Sequence, residues 1–460
     1  MSTTQQTEST TQPIPLEEIT SCFEGIIPSP FCTCSADGMP NITYLSIVHR
    51  VDSSHIALSF QFFNKTRKNL QENPQAQVVV VEPETFRQFQ LDLIYEYTLT
   101  EGPVFDRMRV HIDAVASQTG MTGTFALRGA DIFSVLSCGP VAGNDAIEAK
   151  RPVTDHLPKL DKLTERLSAC TDLDTLLTAS LEGLSSLFGY DHSFVLVPDE
   201  EEARLFTVAS RGFPASGVGS EVAIGEGIIG VAAAHRSPIR NAHLGREMIM
   251  SRAVRAGIER IGADEQSLQR EIPLPGLADV RSQLAVPLLA HSHLLGVLCL
   301  QSDCPGRFTT VDEQLALVAA RHIAANMAMI RLETAREPEE PRRNNPGAVS
   351  PTGPCSVVKH YGSDDSVFID DSYLVKGVPG RIFRKMLDAY LSEGRCEFTN
   401  KEIRLDASMQ LPDFKDNLET RLILLRRRLE ERCTFLHIVP TGRGRFRFDA
   451  QKRLRLESQL

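Results

Sequence analysis

The chain has 460 residues, a formal charge of −10 and no tryptophan, with 42% apolar and 23% charged side chains. That length and balance predict a soluble globular protein of about three domains with ample core. The acidic total excludes a protein that coats nucleic acid or membrane along its whole length, and leaves room for a local basic module.

Ten cysteines are spread from Cys22 to Cys433. They lack the density of a disulfide scaffold, and the one close pair, Cys32 and Cys34, has no partner at zinc spacing, so structural thiols are expected. The polar start carries no signal-peptide pattern, and no run approaches about 18 apolar residues. A cytoplasmic protein without a membrane span is the expectation.

Residues 1–13 read as a disordered polar tail, followed by a short helix over Leu16 to Phe23 that Pro28 and Pro30 stop. Asp37-Gly38 predicts a hairpin turn. Tyr44 to Val51 alternates as one strand, and after the turn Asp52-Ser53-Ser54 a second strand places Ile56, Leu58 and Phe60 on one side. A short helix then runs from Thr66 with Leu70 inward. Lys65, Arg67 and Lys68 crowd its first turn, where the helix dipole is already positive, so an anion among them would relieve their repulsion. On charge pattern alone, a solvated basic turn fits as well.

The order strand, turn, strand, K-T-R-K-N-L helix and E-N-P-Q-A-Q-V-V-V-V resembles the pyridoxamine-phosphate-oxidase-like split barrel, an FMN-binding fold, over residues 14–138. The resemblance implies a flavin phosphate held by Lys65, Thr66, Arg67 and Asn69, with Lys68 a lesser candidate. It places the ring along Ser46, Ile47 and Val48, contacted mainly by backbone. With no tryptophan, the chain lacks the Arg- and Trp-bearing C-terminal segment that grips substrate in true pyridoxamine phosphate oxidases. The fold and flavin are therefore expected, and the vitamin chemistry is not. Further on, Leu93, Tyr95, Tyr97 and Leu99 share one face of a strand, and Phe105, Met108, Ile112 and Val115 recur at helical spacing. His49 and His111 read as surface or satisfied core residues, and 139–157 as a linker.

From Leu163 through Leu184 to Phe188 an apolar stripe predicts a long helix or helix pair. The pieces G-E-G-I-I-G, V-R-S-Q-L-A-V-P-L, L-G-V-L-C-L and R-F-T-T-V-D-E-Q-L resemble a GAF domain, a small-ligand sensor, over 158–332. Gly225, Gly227 and Gly230 spell a nucleotide-loop pattern without the βαβ context it requires, so they are read as turn glycines. Thr310 to Glu313 predicts a capping box. No cyclic-nucleotide or bilin signature accompanies Cys304, and His235, His243, His291 and His293 read as separate surface residues. Glu247 to Leu277 is either a lid over the pocket or a surface helix. The pocket's ligand is unknown.

Five prolines mark a linker over 333–356. From Tyr373 to Leu460 there are 19 basic and 12 acidic side chains, a sign reversal that suits a nucleic-acid-binding module. Strands at Val367 to Ile369 and Tyr373 to Val375 precede a helix with Ile382, Met386, Leu387 and Leu391 inward. A capping box at Thr399 to Glu402 follows. A third helix buries Leu418, Leu422, Leu425 and Leu429 and presents Asn417, Thr420, Arg421, Arg427 and Arg428 on its other faces. A hairpin turns at Thr441 to Gly444. L-R-R-R-L-E and the glycine-rich hairpin resemble the winged helix-turn-helix output domain of response regulators, over 357–460. The resemblance implies base-edge contacts from Asn417, Thr420 and Arg421 and phosphate contacts from Arg427, Arg428, Arg443 and Arg445. A basic protein-interaction domain is the alternative, and Glu419 and Phe446 depart from the family pattern.

The expected fold class is multidomain mixed α+β: split barrel, GAF domain, winged helix. The expected function is a one-component transcriptional regulator, a homodimer, coupling flavin or small-ligand sensing to DNA. The competing reading is an FMN-dependent oxidoreductase with a regulatory GAF domain.

Overall fold

The structure, a computed structural model, describes residues 14–23, 29–45, 47–60, 65–82, 86–118, 127–141, 155–199, 203–241, 272–335, 355–406, 418–442 and 444–459. The N-terminal tail and residues 247–271 of the 247–277 segment lie outside them.

In the first unit, β1 (Ser29–Cys34), β2 (Pro40–Leu45), β3 (Val48–Arg50), β4 (His55–Phe60), β5 (Gln75–Val81), β6 (Gln88–Leu99) and β7 (Gly129–Pro140) form one antiparallel sheet in the order β2-β1-β5-β6-β7-β4-β3. Two helices accompany them, α1 (Lys65–Glu72) and α2 (Pro103–Gln118). The Asp37-Gly38 hairpin forms as expected, with Gly38 at φ +84° and Cys34 opposite Pro40. The single strand expected over 44–51 does not form. Its first part pairs with β1 and its second with β4, and the two parts are the edge strands of the sheet. Bulges in β6 break the expected alternation: Leu93 is buried while Tyr97 is 51% exposed.

The central unit has helices α3 (Leu157–Ser168) and α4 (Leu173–Phe188), strands β8 (His192–Asp199), β9 (Arg204–Arg211) and β10 (Glu221–Ala223), and helix α5 (Gly227–His235). Then come β11 (Ile239–Asn241), β12 (Ser282–Ala290), β13 (His293–Ser302) and helix α6 (Thr310–Ala335). The sheet order is β10-β9-β8-β13-β12-β11. Val195 and Val197 face the α3–α4–α6 side, Phe194 and Leu196 the α5 side, and all four are fully buried. Covering both faces explains why these strands read as unbroken apolar runs. Asp172 caps α4 by accepting from the Asp174 and Thr175 amides, and Gly189 ends it at φ +68°. The cap of α6 sits one residue earlier than expected: Thr309 and Asp312 exchange hydrogen bonds, while Glu313 pairs with Arg240 at 3.1 Å. By length and composition α6 could cross a membrane, yet its Ala316, Ala320, Ile323 and Met327 lie in the core.

The glycine triplet is structural. Gly225 takes φ +94°, and a Cβ at Gly230 would stand 2.2 Å from the Ala223 carbonyl oxygen, so only glycine admits this turn into α5.

The last unit contains β14 (Cys355–Tyr361), β15 (Ser366–Ile369), β16 (Ser372–Val375), α7 (Gly377–Glu393), β17 (Glu397–Thr399), α8 (Asn400–Leu405) and α9 (Leu418–Arg432). It ends with β18 (Leu436–Gly442), β19 (Arg445–Ala450) and β20 (Arg453–Gln459). One sheet runs β16-β15-β14-β20, with β14 and β20 parallel, and the other β17-β19-β18. The parallel pair joins the unit's two ends and was not anticipated. Thr399 caps α8 by accepting from the Glu402 amide, as the capping box predicts. Its core is continuous with that of the central unit, since Leu418, Leu425 and Ile382 belong to the same buried cluster as Leu177 and Val208.

Candidate flavin site and the buried third helix

Helix α1 divides the expected phosphate residues between its faces. Lys65 and Lys68, three apart, are exposed, and Lys68 lies 3.8 Å from Glu72. The Thr66 hydroxyl accepts from Asn41 Nδ2 at 2.9 Å, which leaves its own proton to donate. Asn69 is 1% exposed and donates to Thr33, tying α1 to β1. Arg67 turns the other way. Its guanidinium donates to the buried Asp131 at 2.6 Å and stacks over Phe60 and Tyr95. Thr98 donates to the same carboxylate, and burial still holds Asp131 above the usual carboxylate range.

The donors at the first turn fit a phosphate group. Lys65, the Thr66 hydroxyl and the backbone N–H groups that begin an α-helix without helical acceptors provide them. Arg67 and Asn69 have partners inside the barrel, Asp131 and Thr33, and in this arrangement Asn69 is buried beneath α1. Ser46 lies outside the described residues. Ile47 and Val48 are buried on opposite sides of the sheet, as strand alternation requires.

Next to Ile47 a cavity of about 250 Å³ opens between the first and central units. Its walls include His49, Arg107 and His111 from one and Arg240 and Glu313 from the other. Beside it, α2 places Val110 and Ala114 in the apolar cluster that holds α5, and His235 of α5 lies 3.4 Å from Asp113. His49 is pushed down to about 4, first by burial and then by Arg107, His111 and Arg50; His111 is pushed down to about 4 by burial and Arg240. Both are therefore neutral in the fold where the unfolded chain's histidines, near 6.5, take up protons. Their contribution is complete above pH 6.5 and is lost as the pH falls towards 4. In urea unfolding at pH 5 and pH 7.5, the double variant His49→Gln, His111→Gln is expected to lose less stability on acidification than the native chain. Parallel pH profiles would refute this.

The third helix of the last unit is the larger correction. Thr420, Arg421 and Arg428 are 0%, 4% and 2% exposed. Arg428 donates to the Leu374 carbonyl at 3.1 Å and to Glu431. Arg427 reaches the central unit, donating to Asp174 at 2.7 Å and to the Val208 carbonyl at 2.8 Å, and Arg426 pairs with the same Asp174. Ser216 donates to Glu431, and Lys376 lies 3.1 Å from Glu221. The faces that sequence periodicity assigns to solvent are covered by β16 of the same unit at Arg428 and by the neighbouring domain at Arg421 and Arg427, which periodicity within one helix cannot reveal. Arg445 is exposed; Asn417 and Arg443 lie outside the described residues. Among the other flagged histidines, His291 and His293 are exposed, and His243 is outside the described residues.

Residues 16–121 match the family described as pyridoxamine 5'-phosphate oxidase, and residues 172–327 match the GAF domain. The chain carries a pyridoxamine-phosphate-oxidase-like barrel followed by a GAF domain. Similar solved structures include the GAF domain of an Acinetobacter phosphoenolpyruvate-protein phosphotransferase, 19% identical, covering 38% of this chain and 95% of its own, with a TM-score of 0.30. Free methionine-R-sulfoxide reductase from Neisseria meningitidis in complex with its substrate is 17% identical over 41% of this chain and 99% of its own, with a TM-score of 0.31. An FMN-binding protein from Syntrophomonas wolfei is 19% identical over 28% of this chain and 92% of its own, with a TM-score of 0.22. None of the curated proteins compared matches the chain.

Proposed function

We propose that this protein is a flavin-responsive regulator whose GAF domain relays the state of the barrel to the C-terminal domain. The observation that carries the reading is the placement of the GAF domain, with α5 packed on the barrel's α2 and Asp174 holding α9. In this reading Lys65, Thr66 and the start of α1 hold the phosphate of FMN, and the strand of Ile47 and Val48 orients its ring. Bound flavin would supply two-electron redox chemistry whose change in charge and shape biases the adjoining cavity, which His49 and His111 of the barrel and Arg240 of the GAF domain line. The exposed Ile42 and Tyr44 on edge strand β2, 66% and 72% accessible, support pairing of two chains.

DNA binding by the C-terminal domain is part of the proposal and requires α9 to leave the GAF domain, since the docked helix buries Thr420 and Arg421. The docked form is then the silent one. The competing reading, an FMN-dependent oxidoreductase, predicts turnover with a reduced nicotinamide.

The test is an absorbance titration of the full chain with FMN. A two-band yellow complex is expected, with binding weakened about 10- to 100-fold in the double variant Lys65→Ala, Thr66→Val, the scale of charge-assisted hydrogen bonds worth about 1.5–3 kcal/mol. A chain that takes up no flavin would refute the reading. Arg67→Ala is unsuitable for this purpose because it strands Asp131.

A further inference from the structure

A second cavity, of about 90 Å³, lies between the GAF domain and the C-terminal domain, remote from the barrel. Arg204, Phe206 and Glu221 line it on one side and Tyr373, Lys376 and Arg421 on the other. Arg421 is the unusual member. It is 4% exposed, and among the described residues neither its Nε nor its Nη1 has a hydrogen-bond partner. Asp199 lies 3.6 Å from Nη2, outside hydrogen-bonding distance.

A guanidinium remains charged and carries five donors, one on Nε and two on each terminal nitrogen, so the larger part of this buried fork is unsatisfied. Asp199, which also lines the cavity, forms a long ion pair with Nη2 without filling the other donors, and the remaining carboxylates nearby are committed elsewhere. Glu221 pairs with Arg204 at 3.2 Å and with Lys376 at 3.1 Å, while Arg381 faces Asp365 at 3.3 Å. Native structures rarely leave buried charge in this condition without an ion or ligand to complete it.

We propose that this cavity binds a small oxyanion, a single carboxylate or phosphate group, on the fork of Arg421, with Lys376 beside it. Its size decides the class. At about 90 Å³ it is far below the ~300 Å³ of a drug-sized pocket, which suits one small group. Phe206 and Tyr373 exclude water from part of the wall and strengthen the charge interaction. Because its walls come from β9 and β10 of one domain and from β16 and α9 of the other, the site exists only when α9 is docked. The anion therefore stabilises the docked arrangement by linkage, independently of whether the barrel holds flavin.

The test is isothermal titration of the full chain with inorganic phosphate and, separately, with acetate at constant ionic strength. Saturable binding of one anion per chain is expected, and the responsive arm identifies the group. Arg421→Met should weaken binding at least tenfold and remove the rise in thermal midpoint that the anion produces. Arg421→Lys keeps the charge for folding but lacks the fork, and should bind more weakly than the native chain. Absence of saturable binding by either anion, or native affinity in the Arg421 variants, overturns the proposal.

Discussion

Replacing Asp174 with alanine is expected to loosen the hold of the GAF domain on α9. Asp174 accepts from Arg427 and pairs with Arg426, whose side chains are 18% and 16% exposed. Its removal leaves two guanidinium groups facing each other at a largely dry surface. Complete burial of such a broken pair costs about 3–5 kcal/mol; Asp174 retains 30% exposure, which brings the expected loss to about 2 kcal/mol. Hydrogen exchange measures it directly: the amides of α9 should exchange about 30-fold faster, the ratio that ~2 kcal/mol implies, while those of the barrel stay unchanged. Under the regulator reading, the same variant should be retained on duplex DNA in a salt-sensitive manner while the native chain is not. Unchanged α9 protection in Asp174→Ala would remove the latch, and with it the account of a silent docked form.

In the barrel, Arg67→Ala should destabilise by about 3 kcal/mol, because it leaves the 6%-exposed Asp131 without its cation. Asp131→Asn should cost less than about 1.5 kcal/mol. The amide still accepts from Thr98, and burial that already raises the Asp131 carboxyl shows that the ion pair does not fully repay desolvation. The asymmetry carries a pH signature. Loss of Arg67 raises the folded carboxyl further, and a carboxyl raised by folding contributes stability at low pH that is lost as the pH climbs through its folded value. Arg67→Ala should therefore approach the native stability more closely at pH 5 than at pH 8, as measured by urea midpoints. Equal losses for the two substitutions would show that the guanidinium points elsewhere, and would return Arg67 to the phosphate-binding set.

Local signals were legible wherever neighbours in sequence are also neighbours in space. The Asp37-Gly38 turn, the leucine periodicity of α4 and the Thr399 cap each involve residues a few positions apart, and each forms. The same is true of the order barrel then GAF domain, since unbroken buried runs such as Leu284 to Leu288 and the turn glycines before α5 are written in consecutive residues. The candidate flavin residues were only half legible. Helical spacing placed Lys65, Arg67 and Lys68 in one turn, but Asp131, 64 positions away, selects which of them faces the core.

What the sequence alone determined, then, is the set of local elements and the identity of the first two domains. Only the tertiary structure decided what covers each polar face. Periodicity identifies the apolar side of a helix because burial of that side stabilises the helix's own domain. It is silent about a second domain laid over the charged side. Arg421 and Arg427 carry charge that reads as solvent-facing in any single helix, and Asp199 and Asp174, more than 200 positions upstream, become their neighbours only when the GAF domain folds against them.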